Sequence, residues 1–172
     1  SELDGAFGFI DGDGNLHVVF AGNLESNFNH LELVVDFRDG GQNTIREDNP
    51  DVDFNALARL GTLRDAKTGE VIQQGLTFDE GMDPDLYMTF GCGGDPFENF
   101  GNYAILETEG GGLGEFLGSS GAGADGAAFF KNGFAFAIDN SNILGVDGGT
   151  GLADGTGVRT GMEIIIPLGN FG

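Results

Sequence analysis

Residues Ala6–Ala21 read AFGFIDGDGNLHVVFA. Two runs with strong β preference, Ala6–Ile10 and Leu16–Ala21, enclose Asp11-Gly12-Asp13-Gly14-Asn15, turn residues that tolerate positive φ. The pattern predicts a β-hairpin, and it recurs along the chain. Lys131-Asn132-Gly133 separates Ala127–Phe130 from Phe134–Ile138, with Asn-Gly as the turn signal and Phe134, Phe136 and Ile138 on one face by alternation. Leu31–Phe37, Leu86–Phe90, Tyr103–Thr108 and Gly161–Pro167 predict further strands, and Glu70–Ile72 and Leu76–Phe78 shorter ones. Within the polar excursion from Arg38 to about Thr68, Phe54, Leu57, Ala58 and Leu60 have the spacing of one or two helical turns, which Gly61 ends. Gly110–Gly126, mostly Gly, Ser, Ala and Asp, and Asp147–Gly157 read as loops. Eight or nine strands with one small helix predict an all-β fold, a two-sheet antiparallel β-sandwich of jelly-roll-like character, as a single domain over residues 1–172.

The chain has 172 residues, of which 40% are hydrophobic, enough to build one core. Its sixteen phenylalanines stand beside two tyrosines and no tryptophan, and most of them are expected to alternate into that core. Thirty-three glycines punctuate the apolar runs. Asp and Glu number 28 against 7 Lys and Arg, so the net charge is 7 − 28 = −21. Such a chain repels phosphate backbones and anionic lipid, which argues against nucleic-acid and membrane-surface partners, and it attracts cations. The longest apolar run, Ile164–Ile166 with its neighbours, is strand-sized, far short of the ~18–20 residues of a membrane helix, so no membrane insertion is expected. The single cysteine, Cys92, permits no intrachain disulfide. A start at Ser1 rather than Met predicts a processed N-terminus, and with the acidic loops this places the expectation outside the cell, secreted or at the cell surface.

Oxygen-rich loops are the chemistry that stands out. Asp48, Asn49, Asp51, Asp53 and Asn55 share one loop, in which Asp51-x-Asp53-x-Asn55 spaces oxygens as calcium loops do. Asp79, Glu80, Asp83 and Asp85 form a second candidate, with Pro84 stiffening the turn. Hard cations such as Ca²⁺ take six to eight oxygens at ~2.3–2.6 Å, which carboxylates, amides and carbonyls supply together. The bland reading of both is a solvated polar loop. Asp11–Asn15 opens like an EF-hand but fails it, because Leu16 occupies the glycine position and Gly22 the place of the twelfth-position Glu; a plain turn is the better reading. Asp139, Asn140 and Asn142, with Asp147 and Asp154 beyond, are read as Asx turns in preference to ligands.

Catalytic signatures fail on context. Gly121-x-Gly123-x-x-Gly126 matches a dinucleotide fingerprint by letter, yet it leads into a strand where a helix N-terminus is required. His17 and His30 lack the second histidine of a zinc protease and any G-x-S-x-G elbow, so both read as structural or surface residues. Cys92 lies between glycines with no basic neighbour to support a thiolate. No strand carries the alternating carboxylates of a glycosidase groove. Sugar platforms need flat aromatic faces, and Tyr87 and Tyr103 sit in strands that read as buried. A non-enzyme is the reading that remains.

Two stretches resemble a known family. Leu31–Asp36 (LELVVD) followed by Gly40-Gly41-Gln42-Asn43, and the ending Met162–Gly172 (MEIIIPLGNFG), resemble family 9 carbohydrate-binding modules and DOMON-like sandwiches. Phe20–Asn43, Asn49–Leu57 and Leu76–Asp85 are also similar to uncharacterised secreted proteins of planctomycete-type bacteria. The resemblance implies a sandwich fold and export. The sequence-based expectation is thus a non-catalytic extracellular structural or surface-assembly protein, calcium-stabilised and self-associating through edge strands into filaments, with Ser1–Ile10 as the donated strand. The alternative is a carbohydrate-binding module of a secreted system, with polysaccharide as its partner.

Overall fold

The computed structural model describes residues 2–52, 56–95, 97–121, 125–129, 131–139, 141 and 158–171. These residues build an all-β fold of antiparallel strands in sandwich-like open sheets. The hairpin read from Ala6–Ala21 is present as β1 (Glu2–Ile10) and β2 (Asn15–Asn23), followed by β3 (His30–Val35) and the helix α1 (Ala56–Leu60). A small hairpin of β4 (Leu63–Arg64) and β5 (Val71–Gln73) comes next, then β6 (Leu86–Gly93), β7 (Glu98–Ile105) and β8 (Gly114–Gly121). The described chain closes with β9 (Asp125–Phe129), β10 (Ala135–Asp139) and β11 (Gly161–Pro167). One sheet has the order β1-β2-β11-β10-β9, a second β3-β6-β7-β8, and β4-β5 stand apart.

Three expectations need correcting. Gly110–Gly126, read as a loop, contains β8 and the start of β9. Leu76–Phe78, read as a strand, contributes one isolated bridge, Thr77 to Thr44. The phenylalanines do not mostly enter the core: among the described residues Phe90, Phe134 and Phe136 are buried, while Phe7, Phe9, Phe28 and Phe116 are exposed. Ile, Leu, Met and Tyr fill more of the interior than the composition suggested.

Contacts gather the chain into two compact units. The first comprises Ser1–Leu31, Phe90–Gly101 and Leu117–Gly172. It holds the five-stranded sheet, in which β11 pairs with β2 from Gly161↔Ala21 to Pro167↔Asn15 and with β10 on its other side. Alternation sends Met162, Ile164 and Ile166 of β11 and Phe136 and Ile138 of β10 inward, where all five are buried. Opposite them stands Phe90, its ring stacked on Phe136 at a centroid distance of 4.9 Å. Each such side chain contributes about 1.5–3 kcal/mol by leaving water. The Asn-Gly turn forms as expected, with Asn132 at φ 62° between β9 and β10.

The second unit comprises Glu32–Thr89 and Asn102–Phe116. Its core is Ile45, Val52, Leu57, Tyr87, Ala104 and Leu106, with Val34, Leu60 and Phe78 packed against it. The long polar excursion is therefore a folded element. Ile45 donates its N–H to the Leu76 carbonyl and accepts the Thr62 N–H on its own carbonyl. Asp65 closes the β4–β5 turn by accepting the N–H groups of Lys67 and Thr68.

Candidate functional site

The two acidic loops come first because the sequence singles them out. Asp48 takes the Arg46 guanidinium on both oxygens, at 2.8 Å each. That bidentate bond holds the Asp48 carboxyl below its ordinary value and raises Arg46. Asn49 is buried in a reciprocal amide pair with Gln42, at 2.8 Å in each direction. Asp51 is exposed, and Asp53 and Asn55 lie outside the described residues. In the second loop Asp79, Glu80 and Asp83 are exposed. Asp83 donates its N–H to Asp36 Oδ2. Asp85 turns inward and is fully buried; its Oδ2 accepts the N–H groups of Phe37 and Arg38, and Arg38 Nε stands 3.6 Å from Oδ1. Gly41 makes this close packing possible, since at φ +84° it approaches Asp83 and Pro84 where any Cβ would strike their carbonyl oxygens. Asp48, Asn49 and Asp85 are thus engaged by protein partners. Among the described residues no group of three or more His, Cys, Asp or Glu side chains stands together at metal-binding spacing.

The turn between β1 and β2 is built around Asp11. Its Oδ1 accepts the N–H groups of Asp13 and Asn15, and its Oδ2 accepts the Asn15 amide at 2.9 Å and His17 Nε2 at 3.0 Å. The bonds from Asn15, then that from His17, hold the Asp11 carboxyl well below the usual carboxylate range. The bond to Asp11, with a weaker one from Nδ1 to Glu163 at 3.4 Å, raises His17 above its ordinary 6.5. Phe9 lies flat on the His17 ring, with centroids 4.6 Å apart. The turn is the hairpin turn that the sequence suggested, and its histidine is tied to Asp11 and Glu163. Farther along, Asp139 accepts the Ser141 N–H in an Asx turn. Cys92 is buried, donates to the Leu24 carbonyl and is pushed up to about 11 by burial, which disfavours its thiolate. Tyr87 and Tyr103 are buried and present no face for a sugar ring.

The feature with most surface chemistry is β1. It pairs with β2 from Glu2↔Asn23 to Ile10↔Leu16, with a register shift between Leu3 and Gly5, and it is an edge of the five-stranded sheet. Over Gly5–Ile10 it carries no charge in a chain of net −21. Leu3, Phe7, Phe9 and Ile10 are 47, 57, 57 and 63% exposed, and they occupy both faces of the strand. Natural edges are usually blunted by charge, Pro or short length; here Glu2, Asp4 and the register shift blunt the start of the strand, and Gly5–Ile10 is bare. Sequence reading proposed Ser1–Ile10 as a donated strand, and Glu2–Ile10 is held in its own sheet with its second edge outward. The signal for that edge was available in the sequence: a charge-free run, Gly5–Ile10, with apolar residues at odd and even positions alike.

No family model, curated protein or solved structure matches this chain. No helix among the described residues is long and apolar enough to cross a membrane.

Proposed function

We propose that the protein is a non-catalytic structural subunit, working outside the cell or at its surface, that associates with copies of itself through the edges of its five-stranded sheet. The observation that carries this reading is the exposed, uncharged Gly5–Ile10 part of the edge strand β1, with Phe7, Phe9 and Ile10 more than half open to solvent. An edge of this kind offers a row of backbone N–H and C=O groups to another strand, and apolar side chains to reward the pairing. The same sheet has a second edge at β9. Two edges per subunit are what an open array requires. The net charge opposes association, so cations favour it; calcium enters as a counter-ion to the carboxylate-rich surface, with Asp51, Asp79, Glu80 and Asp83 the exposed groups nearest the expected loops.

Sedimentation velocity tests the reading. The wild-type protein should move from monomer to larger species as protein and salt or calcium concentrations rise, and Phe7→Lys with Phe9→Lys should remain monomeric under the same conditions. A wild-type protein that is monomeric throughout contradicts the proposal. Retention of that monomer on a polysaccharide would favour the carbohydrate-binding alternative.

A further inference from the structure

We infer that β1 pairs antiparallel with β1 of a second copy about a twofold axis through Gly8, so that the two five-stranded sheets become one continuous sheet; this rests on the self-association reading above and specifies its contact. The argument begins with backbone direction. At the hairpin Asp11 donates its N–H to the Asn15 carbonyl. By the alternation of an antiparallel ladder, Phe9, Phe7 and Gly5 then turn their polar backbone groups toward β2, while Ile10, Gly8 and Ala6 turn theirs outward. A second strand can bond only to that even-numbered set.

A twofold axis normal to the sheet keeps each face continuous and requires opposed residues to share a face, which restricts the centre to a residue. Centring on Gly8 sets Gly8 against Gly8 and Ala6 against Ile10 as hydrogen-bonded pairs. Phe7 then meets Phe9 at the closer, non-hydrogen-bonded positions, where aromatic pairs gain most. The pairing places Phe7 and Phe9 of both copies on the face that already holds His17 against Phe9. Gly5 meets Asp11, and no carboxylate stands directly opposite another. Centring on Phe7 drives Ile10 against Asp4, where the β1 register shifts. Centring on Phe9 sets Phe7 against Asp11. Each alternative keeps one aromatic pair, Phe7 with Phe7 or Phe9 with Phe9, where centring on Gly8 makes two.

A second copy is the occupant because the segment complements itself in size, in backbone polarity and in lack of charge. The exposed parts of Leu3, Phe7, Phe9 and Ile10 amount to on the order of 400 Å² per copy, or ~800 Å² per pair, below the ~1,200–2,000 Å² of a standard stable interface. The contact therefore depends on its main-chain hydrogen bonds and is reversible at ordinary protein concentration.

Cysteine cross-linking reads the register. Gly8→Cys is tolerated by the fold, since a Cβ there meets its nearest neighbours, the His17 carbonyl oxygen and Leu16 Cδ1, at 3.4 and 4.0 Å. On the axis its Cα would lie ~5.5 Å from its mate, inside the range a disulfide spans. Under mild oxidation Gly8→Cys should form covalent dimers about tenfold faster than Ala6→Cys or Ile10→Cys alone, whereas a mixture of those two should cross-link to each other. Circular dichroism confirms that each variant is folded, and the parent protein, with the buried Cys92 alone, sets the background of cross-linking. Cross-linking that peaks at another position, in a protein that still associates, overturns the twofold register and leaves self-association standing. A wild-type protein that does not associate overturns both.

Discussion

His17 joins the β1–β2 turn to β11 through Asp11 and Glu163, and its titration is open to measurement. Because its folded value is raised above 6.5, its contribution to stability is complete below 6.5 and is lost as pH rises through the folded value. Asp11 has the opposite sense: its folded value is depressed, so its contribution is present above 3.8 and is lost as pH falls through the folded value. The link is whole between those limits. His17→Gln should therefore lower Tm most near about pH 5.5, and the gap from wild type should narrow by about pH 9. A gap independent of pH would contradict the assignment. The turn was legible because Asp, Gly and Asn announce it locally. The inward turn of Asp85 was not, because in sequence it resembles its exposed neighbours Asp79 and Asp83, and only the backbone of Phe37 and Arg38, 48 and 47 positions away, distinguishes it. Gly41 is similar: Gly40-Gly41 reads as one more flexible pair until Asp83 and Pro84 are seen against it.

At the level of elements, strands with β-branched or aromatic residues and clear turns were readable. β10 and β11 fall within about a residue of expectation, with alternating burial to match. β8, GEFLGSSG, was missed because glycine and serine carry little strand preference and side-chain pattern is the main sequence signal for a strand. Adjacent chain supplies what propensity lacks, as where Ile105 donates its N–H to the Leu113 carbonyl just before β8 begins. The two faces of the five-stranded sheet separate stability from assembly. Ile164→Ala, in the closed part of the core, should cost about 3 kcal/mol in urea unfolding of the monomer. Phe7→Ala, on the exposed edge, should change monomer stability by no more than about 0.5 kcal/mol while weakening association. Equal losses from both would mean that β1 is a packing element and not a docking one.

For the whole molecule, the balance lies between a net charge of −21, which keeps copies apart, and the charge-free edge segment Gly5–Ile10 where they can meet. Screening shortens the repulsion to ~10 Å at about 0.1 M salt, so backbone pairing at β1 becomes accessible with little change in the fold. Amide hydrogen exchange followed residue by residue across a concentration series tests this most directly, because the outward set Ala6, Gly8 and Ile10 differs from the inward set Phe7 and Phe9. The account predicts that the outward amides exchange rapidly in dilute, low-salt protein and become protected on association, while the inward ones are protected throughout. Association that leaves Ala6, Gly8 and Ile10 exchanging as fast as in the monomer would contradict it.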